Sequence, residues 1–122
     1  MGDETERISQ AWLTYQRNWW AWERLQQAIE SRPNEAWKII LRIVEEADSD
    51  DLIGAIGAGP LEDIVGKHGP SFLTQIREEA ARNGKLRAAL QHVWLTPSEN
   101  SVVNDLVDLG CKIVPIVPNT DA

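Results

Sequence analysis

Residues 8–29, ISQAWLTYQRNWWAWERLQQAI, set Ile8, Trp12, Tyr15, Trp19 and Trp22 at intervals that alternate between four and three. On a helix turning once per ~3.6 residues that spacing returns every one of them to a single stripe, and it excludes the strict alternation of a half-buried strand. Trp20 departs from the stripe, about 100° round a continuous helix from Trp19 and about 160° from Trp22. The three indoles therefore cannot all meet one core: either the helix breaks near Asn18, or one indole faces a second surface. Leu25, Ala28 and Ile29 carry the stripe onward until Ser31-Arg32-Pro33 interrupts it. Pro33, with its fixed φ and no N–H, suits the first turn of a following helix.

The same period continues downstream. Ala36, Trp37, Ile40, Leu41, Val44 and Ala47 fall at core spacing. Asp48-Ser49-Asp50-Asp51 supplies capping residues, and Leu52, Ile53, Ala55 and Ile56 make a short apolar piece that Gly57-Ala58-Gly59-Pro60 ends. Leu61, Ile64 and Val65 point inward from a helix opened by Pro60 and closed by His68-Gly69, with Gly69 expected in the left-handed conformation after a helix end. Pro70 opens the next helix, with Phe72, Leu73, Ile76 and Ala80 buried and Asn83-Gly84 as its stop. Leu86, Ala89, Leu90, Val93 and Trp94 form another. Thr96-Pro97-Ser98-Glu99 has capping-box spacing before Val102, Val103, Leu106 and Leu109, and Gly110 ends that last helix. From Cys111 the β-branched residues interrupted by Pro115 and Pro118 cannot continue a helix. The expectation is an all-α chain of about seven short antiparallel helices packed as helical hairpins, HEAT-like or as an orthogonal bundle. Residues 1–110 form the single helical domain and 111–122 an extended tail.

Several of these motifs, taken together, carry a resemblance. Trp22-Glu23-Arg24-Leu25, Ala36-Trp37, the string Ala58-Gly59-Pro60-Leu61-Glu62-Asp63, then His68-Gly69, Phe72, Ile76, Ala80 and Val93-Trp94 resemble a bacterial family, domain-of-unknown-function family 6869, over about residues 8–95. The resemblance implies a small all-helical domain and carries no activity with it.

Composition narrows the function. The chain has 122 residues, 12 Lys and Arg against 19 Asp and Glu, a net charge of −7 and 43% apolar residues, which is the balance of one acidic globular domain. Sequence-independent nucleic-acid binding draws its affinity from Lys and Arg on phosphates, so it is disfavoured. The one cysteine, Cys111, excludes an internal disulfide and a Cys-based zinc cluster, and a reducing cytoplasm is the expected address. The N-terminus lacks the basic start and apolar run of a signal peptide, and no apolar stretch approaches the ~18 residues of a membrane span.

Charge is concentrated. Residues 43–66 hold Glu45, Glu46, Asp48, Asp50, Asp51, Glu62 and Asp63 and no Lys or Arg, so the whole excess of −7 lies in one stretch. Carboxylates at helix starts form a solvated rim that complements the helix dipole. A patch of one sign also steers a basic partner. No catalytic centre, metal site or cofactor is expected. Glu62 and Asp63 lie six and five residues before His68, about 120° and 140° away on one helix, so no face presents them together. His92 stands 24 positions beyond His68 and gives no ligand spacing. Gly54, Gly57 and Gly59 lack the Lys-Ser/Thr of a phosphate loop. Asp48, Asp50 and Asp51 are followed by Leu52 and Ile53 where a calcium loop needs oxygen ligands and glycine. No serine sits in a nucleophile elbow, and Cys111, placed after a helix C-terminus, is expected to be unreactive.

Six tryptophans exceed what this length ordinarily carries. Trp12, Trp22, Trp37 and Trp94 lie on apolar stripes and are expected in the core, whereas Trp19 and Trp20 are free to serve as anchors at an interface. The sequence thus points to a non-enzymatic interaction module whose candidate contact residues are Trp19, Trp20, Glu45, Glu46, Asp48, Asp50, Asp51, Glu62 and Asp63, with a basic protein as partner. In size and charge it resembles small acidic bacterial inhibitors and immunity proteins. The competing expectation is a structural or oligomerisation domain, a homodimer joined through the Trp-rich N-terminus and the apolar tail 113–117.

Overall fold

The computed structural model describes residues 4–13, 19–96 and 102–113. Its elements in chain order are α1 (Glu4–Leu13), α2 (Trp19–Ser31), α3 (Pro33–Glu46), α4 (Asp50–Ile56), a wide π-type turn (Gly57–Leu61), α5 (Glu62–Arg82), α6 (Gly84–Leu90), β1 (Trp94–Leu95), α7 (Val103–Asp108) and β2 (Lys112–Ile113). The chain is mostly all-α, as its 3.6-residue periodicity requires. No helix among the described residues is long and apolar enough to cross a membrane.

α3 is the axis of the fold. Ala36, Trp37, Ile39, Ile40, Ile43 and Val44 bury round more than one side of it, and α1, α2, α4, α5 and α6 all pack against it. Each large aliphatic removed from water contributes about 1.5–3 kcal/mol, so this helix anchors the core. Two aromatic contacts extend it. Trp12 of α1 stacks on Trp22 of α2 with ring centroids 5.3 Å apart, and Trp37 meets Phe72 of α5 at 5.8 Å. Tyr15, which the stripe also includes, lies outside the described residues, as does the side chain of Trp19.

Local chemistry sets the helix ends. Pro33 occupies the first turn of α3, the Ser49 hydroxyl accepts the Leu52 N–H at 3.2 Å to cap α4, and Asn83 accepts the Leu86 N–H at 3.1 Å to cap α6. Gly110 adopts φ 119° after α7, with the Gly110 N–H on the Val107 carbonyl and the Cys111 N–H on the Leu106 carbonyl. This is the paired bonding of a Schellman end, and only glycine takes that φ without strain. Among non-consecutive neighbours, α2 and the first half of α5 run parallel, because Gln26 bonds Asp63 and Glu30 bonds Lys67 four residues further along both helices.

Three expectations are corrected. The break expected at His68-Gly69 is present, because His68 is non-helical (φ −127°, ψ 18°) and α5 kinks there into a second helical half that Pro70 opens, but it is not made by a left-handed glycine: Gly110 is the one glycine with positive φ among the described residues. Trp94 is neither helical nor core. α6 stops at Leu90, and the N–H groups of Gln91, His92 and Val93 close a tighter turn on carbonyls three residues back. The chain then extends, so Val93 and Leu95 point inward and Trp94, between them, is 44% exposed. The tail after Gly110 is not a lone extended segment either, since Lys112 and Ile113 pair in parallel with Trp94 and Leu95. The capping-box residues 97–99 and the tail from 114 onward lie outside the described residues.

Candidate functional site

The acidic stretch divides into two parts with different roles. At the corner between α3 and α4 the chain turns outward at Ala47 (φ −65°, ψ 129°), and Ser49 starts α4 with Asp50 and Asp51 in its first turn. Carboxylates there complement the free N–H groups and positive end of the helix. Glu45, Asp48, Asp50 and Asp51 are exposed, and none of their side chains has a hydrogen bond or ion pair with another side chain among the described residues. Glu46 is exposed but engaged: its carboxylate accepts from Gln10 Nε2 at 2.6 Å and lies 3.8 Å from Arg42 Nε.

Glu62 and Asp63 belong elsewhere. Both are half-buried in the first turn of α5. Glu62 Oε1 accepts the Trp94 N–H at 2.8 Å, and Asp63 Oδ2 accepts from Gln26 Nε2 at 2.7 Å. The first bond satisfies a backbone donor of β1 and the second ties α5 to α2, so these two carboxylates clip the fold together.

Most of the described basic side chains are bound elsewhere, but one of them, Lys85, sits at the corner itself. Lys85 Nζ donates to the Glu45 and Ala47 carbonyls at 2.9 and 2.8 Å, Arg87 donates to the Ala80 carbonyl, and Lys112 Nζ to the Gln91 carbonyl at 2.6 Å. These cations sit on the negative C-terminal ends of α3, α5 and α6. Lys67 holds Glu30 at 2.7 Å, a hydrogen bond and charge that lower the Glu30 carboxyl below its ordinary pKa and, from the other side, raise Lys67 above its own. Arg77 meets Asp105 at 2.9 Å, and Arg82 meets Glu79 at 2.7 Å. At the corner Lys85 is bound to main-chain carbonyls, so among the described residues the carboxylates of Glu45, Asp48, Asp50 and Asp51 outnumber the one cation there and none forms a side-chain ion pair. Lys85 could not be read as the corner's neighbour from sequence, because about forty residues separate it from Glu45.

The aromatic candidates also divide. Trp20 is 39% exposed, and the Arg7 guanidinium lies 5.5 Å from its ring centroid. Trp22 is half-buried, and with Glu23, Gln26 and Gln27 it lines a shallow, largely apolar cleft on α2.

The structure does not assemble the acid–base trio. Glu62 faces Trp94 and Asp63 faces Gln26, while His68 Nε2 lies 2.7 Å from the Ile29 carbonyl with its ring against Phe72. His92 is exposed beside Gly54. Among the described residues no three His, Cys, Asp or Glu gather to hold a metal ion. Cys111 is buried, which pushes its thiol up to about 12.

No curated protein and no solved structure matches the chain. A family model described as a family of unknown function, DUF6869, matches residues 8–108. The match runs beyond Trp94, where the motif resemblance stops, and takes in α7, whose Leu106 is fully buried. The chain belongs to the family of unknown function DUF6869.

Proposed function

We propose that this domain is a non-enzymatic protein-interaction module that docks a basic partner at the α3–α4 corner. The observation that carries the reading is the set of four exposed carboxylates, Glu45, Asp48, Asp50 and Asp51, within seven residues, none of them ion-paired with a side chain among the described residues and with Lys85, held on the Glu45 and Ala47 carbonyls, as the single cation at the corner. A one-sign patch of this kind raises the association rate of a cationic partner and orients it before contact. An inhibitor or immunity-type role, in which the corner masks a basic functional surface, suits the domain's size and charge. The bonds that occupy Glu62, Asp63 and His68 support binding over acid–base chemistry, and the buried thiol of Cys111 suits a reducing cytoplasm.

The test is affinity capture from source-cell lysate with the native domain and with a Glu45→Ser, Asp48→Ser, Asp50→Ser, Asp51→Ser variant whose circular dichroism matches the native form. A basic protein retained by the native domain alone, and eluted by salt, supports the reading. An identical retained set for both forms overturns it. Self-association is the second reading, favoured by Trp94, Val107 and Ile113, all exposed on the β1–α7–β2 unit. Light scattering that gives a salt-insensitive dimer would support it.

A further inference from the structure

The outward face of α2 is built differently from the acidic corner. On the helix, Trp22, Gln26, Glu23, Gln27 and Trp20 follow one another round about 160° of the circumference, while Ala21, Leu25, Ala28 and Ile29 occupy the buried side. The cleft on this face has an apolar lining formed by the Trp22 ring and the aliphatic stems of Glu23, Gln26 and Gln27. One carboxylate lines it, and a second lies behind Gln26. Glu23 is exposed and has no hydrogen bond or ion pair among the described residues. Asp63, behind Gln26, accepts from the Gln26 amide at 2.7 Å and lies within electrostatic reach of Lys67. Lys67, one turn along, holds Glu30.

An apolar trough beside the unpaired carboxylate of Glu23 fits a side chain that is apolar along its stem and cationic at its tip. Between the two natural choices the surface favours arginine: a guanidinium stacks on an indole and meets a carboxylate through two parallel N–H bonds, whereas an ammonium is a compact, strongly hydrated charge. The chain supplies an internal example on the same helix face, since Arg7 of α1 already lies over Trp20.

We infer that α2 carries a second docking surface, for an arginine-bearing segment of a protein partner, whose stem lies along Trp22 and Gln26 and whose guanidinium engages Glu23 through two parallel N–H bonds. The inference rests on the reading of a basic partner and names the side chain by which it is recognised, on a face separate from Glu45–Asp51.

The probe is the peptide acetyl-Leu-Arg-Ala-Leu-Leu-Arg-Ala-Leu-amide and its lysine counterpart, titrated into the domain while the indole Nε1–H signals are followed by NMR, with the Trp22 signal assigned through Trp22→Phe. The arginine peptide is expected to move the Trp22 signal saturably and to bind more tightly than the lysine peptide. Glu23→Gln, at an exposed position, is expected to weaken binding at least about fivefold, the loss of one charged hydrogen bond. Serine substitution at Glu45, Asp48, Asp50 and Asp51 is expected to leave this binding unchanged. Equal affinity for the two peptides, an unmoved Trp22 signal, or unchanged binding by Glu23→Gln overturns the inference. Loss of binding in the corner variant alone also overturns it, and leaves the α3–α4 reading standing.

Discussion

Two glycines three residues apart are expected to respond oppositely to the same substitution. A Cβ at Gly57 would stand 2.1 Å from the Ala89 carbonyl oxygen and 2.7 Å from His92 Cβ, so the π-type turn touches the end of α6 through bare backbone. The obstacle is a main-chain carbonyl that cannot rotate aside, and relief requires α6 to move by about 1 Å in a core packed to crystalline density. Overpacking of this kind costs about 1–3 kcal/mol and occasionally more, which outweighs the ~0.5–1 kcal/mol gained by replacing glycine with a better helix former. At Gly54 the added Cβ would find His92 Cε1 at 3.5 Å, an ordinary contact, so Gly54→Ala keeps the propensity gain alone. The propensity gain is common to both, so the two variants should differ by the overpacking cost, about 1–3 kcal/mol, or roughly 4–12 °C in Tm. Thermal unfolding followed by circular dichroism, with urea titration as a check, measures the difference. Equal Tm values for Gly57→Ala and Gly54→Ala would refute the close approach of α4, the turn and α6.

Other expected outcomes follow from single groups. Lys85→Met removes the ammonium that closes the α3 carbonyls and should lower stability by roughly 1 kcal/mol, read as a lower urea midpoint at unchanged m. Ser9 is fully buried in α1, and its hydroxyl has no hydrogen-bond partner among the described residues, so Ser9→Ala should stabilise by about 1 kcal/mol, checked the same way. Trp12→Ala empties the space beneath the Trp22 stack and should cost about 3–5 kcal/mol, measurable by calorimetry. The Cys111 thiol, raised by burial from an ordinary 9.0 to about 12, keeps its proton in the folded state while the unfolded chain loses it above about pH 9. Stability should be insensitive to this group below pH 9 and fall as pH climbs from 9 toward 12, and alkylation at pH 8 should proceed only through opening of the fold. Mass spectrometry of iodoacetamide labelling, with and without urea, tests this.

How far the sequence could be read depended on whether the deciding interaction was local. The apolar spacing of α3, the Ser49 and Asn83 caps and the Gly110 end each involve residues within one or two turns of one another, and they appear where the periodicity and cap chemistry place them. Trp94 reads as core in the sequence because its spacing from Leu90 continues the α6 stripe, whereas its exposure is decided by Val93 and Leu95 turning inward to the core on either side of it. The acidic block was read as one object because charge is summed along the chain. The fold splits it, drawing Glu62 to the Trp94 N–H and Asp63 to Gln26 and leaving Glu45, Asp48, Asp50 and Asp51 in solvent. Lys85, Arg87 and Lys112 show the same limit: their partners are carbonyls at helix ends that no sequence spacing records. The α2 cleft was half legible, since Trp20 was separated from the Trp22 stripe by angle alone, but the neighbouring Asp63 arrives from another helix.

Steering of a basic partner by the α3–α4 corner is read from the association rate of the captured partner as a function of ionic strength. The native domain is expected to associate quickly at low salt and to slow steeply as salt is added, because exposed charges are screened over ~10 Å at 0.1 M. The variant with serine at Glu45, Asp48, Asp50 and Asp51 should start slower and show a markedly flatter dependence. Identical salt dependence for the two forms would contradict it and return the corner to the status of a solvated helix rim.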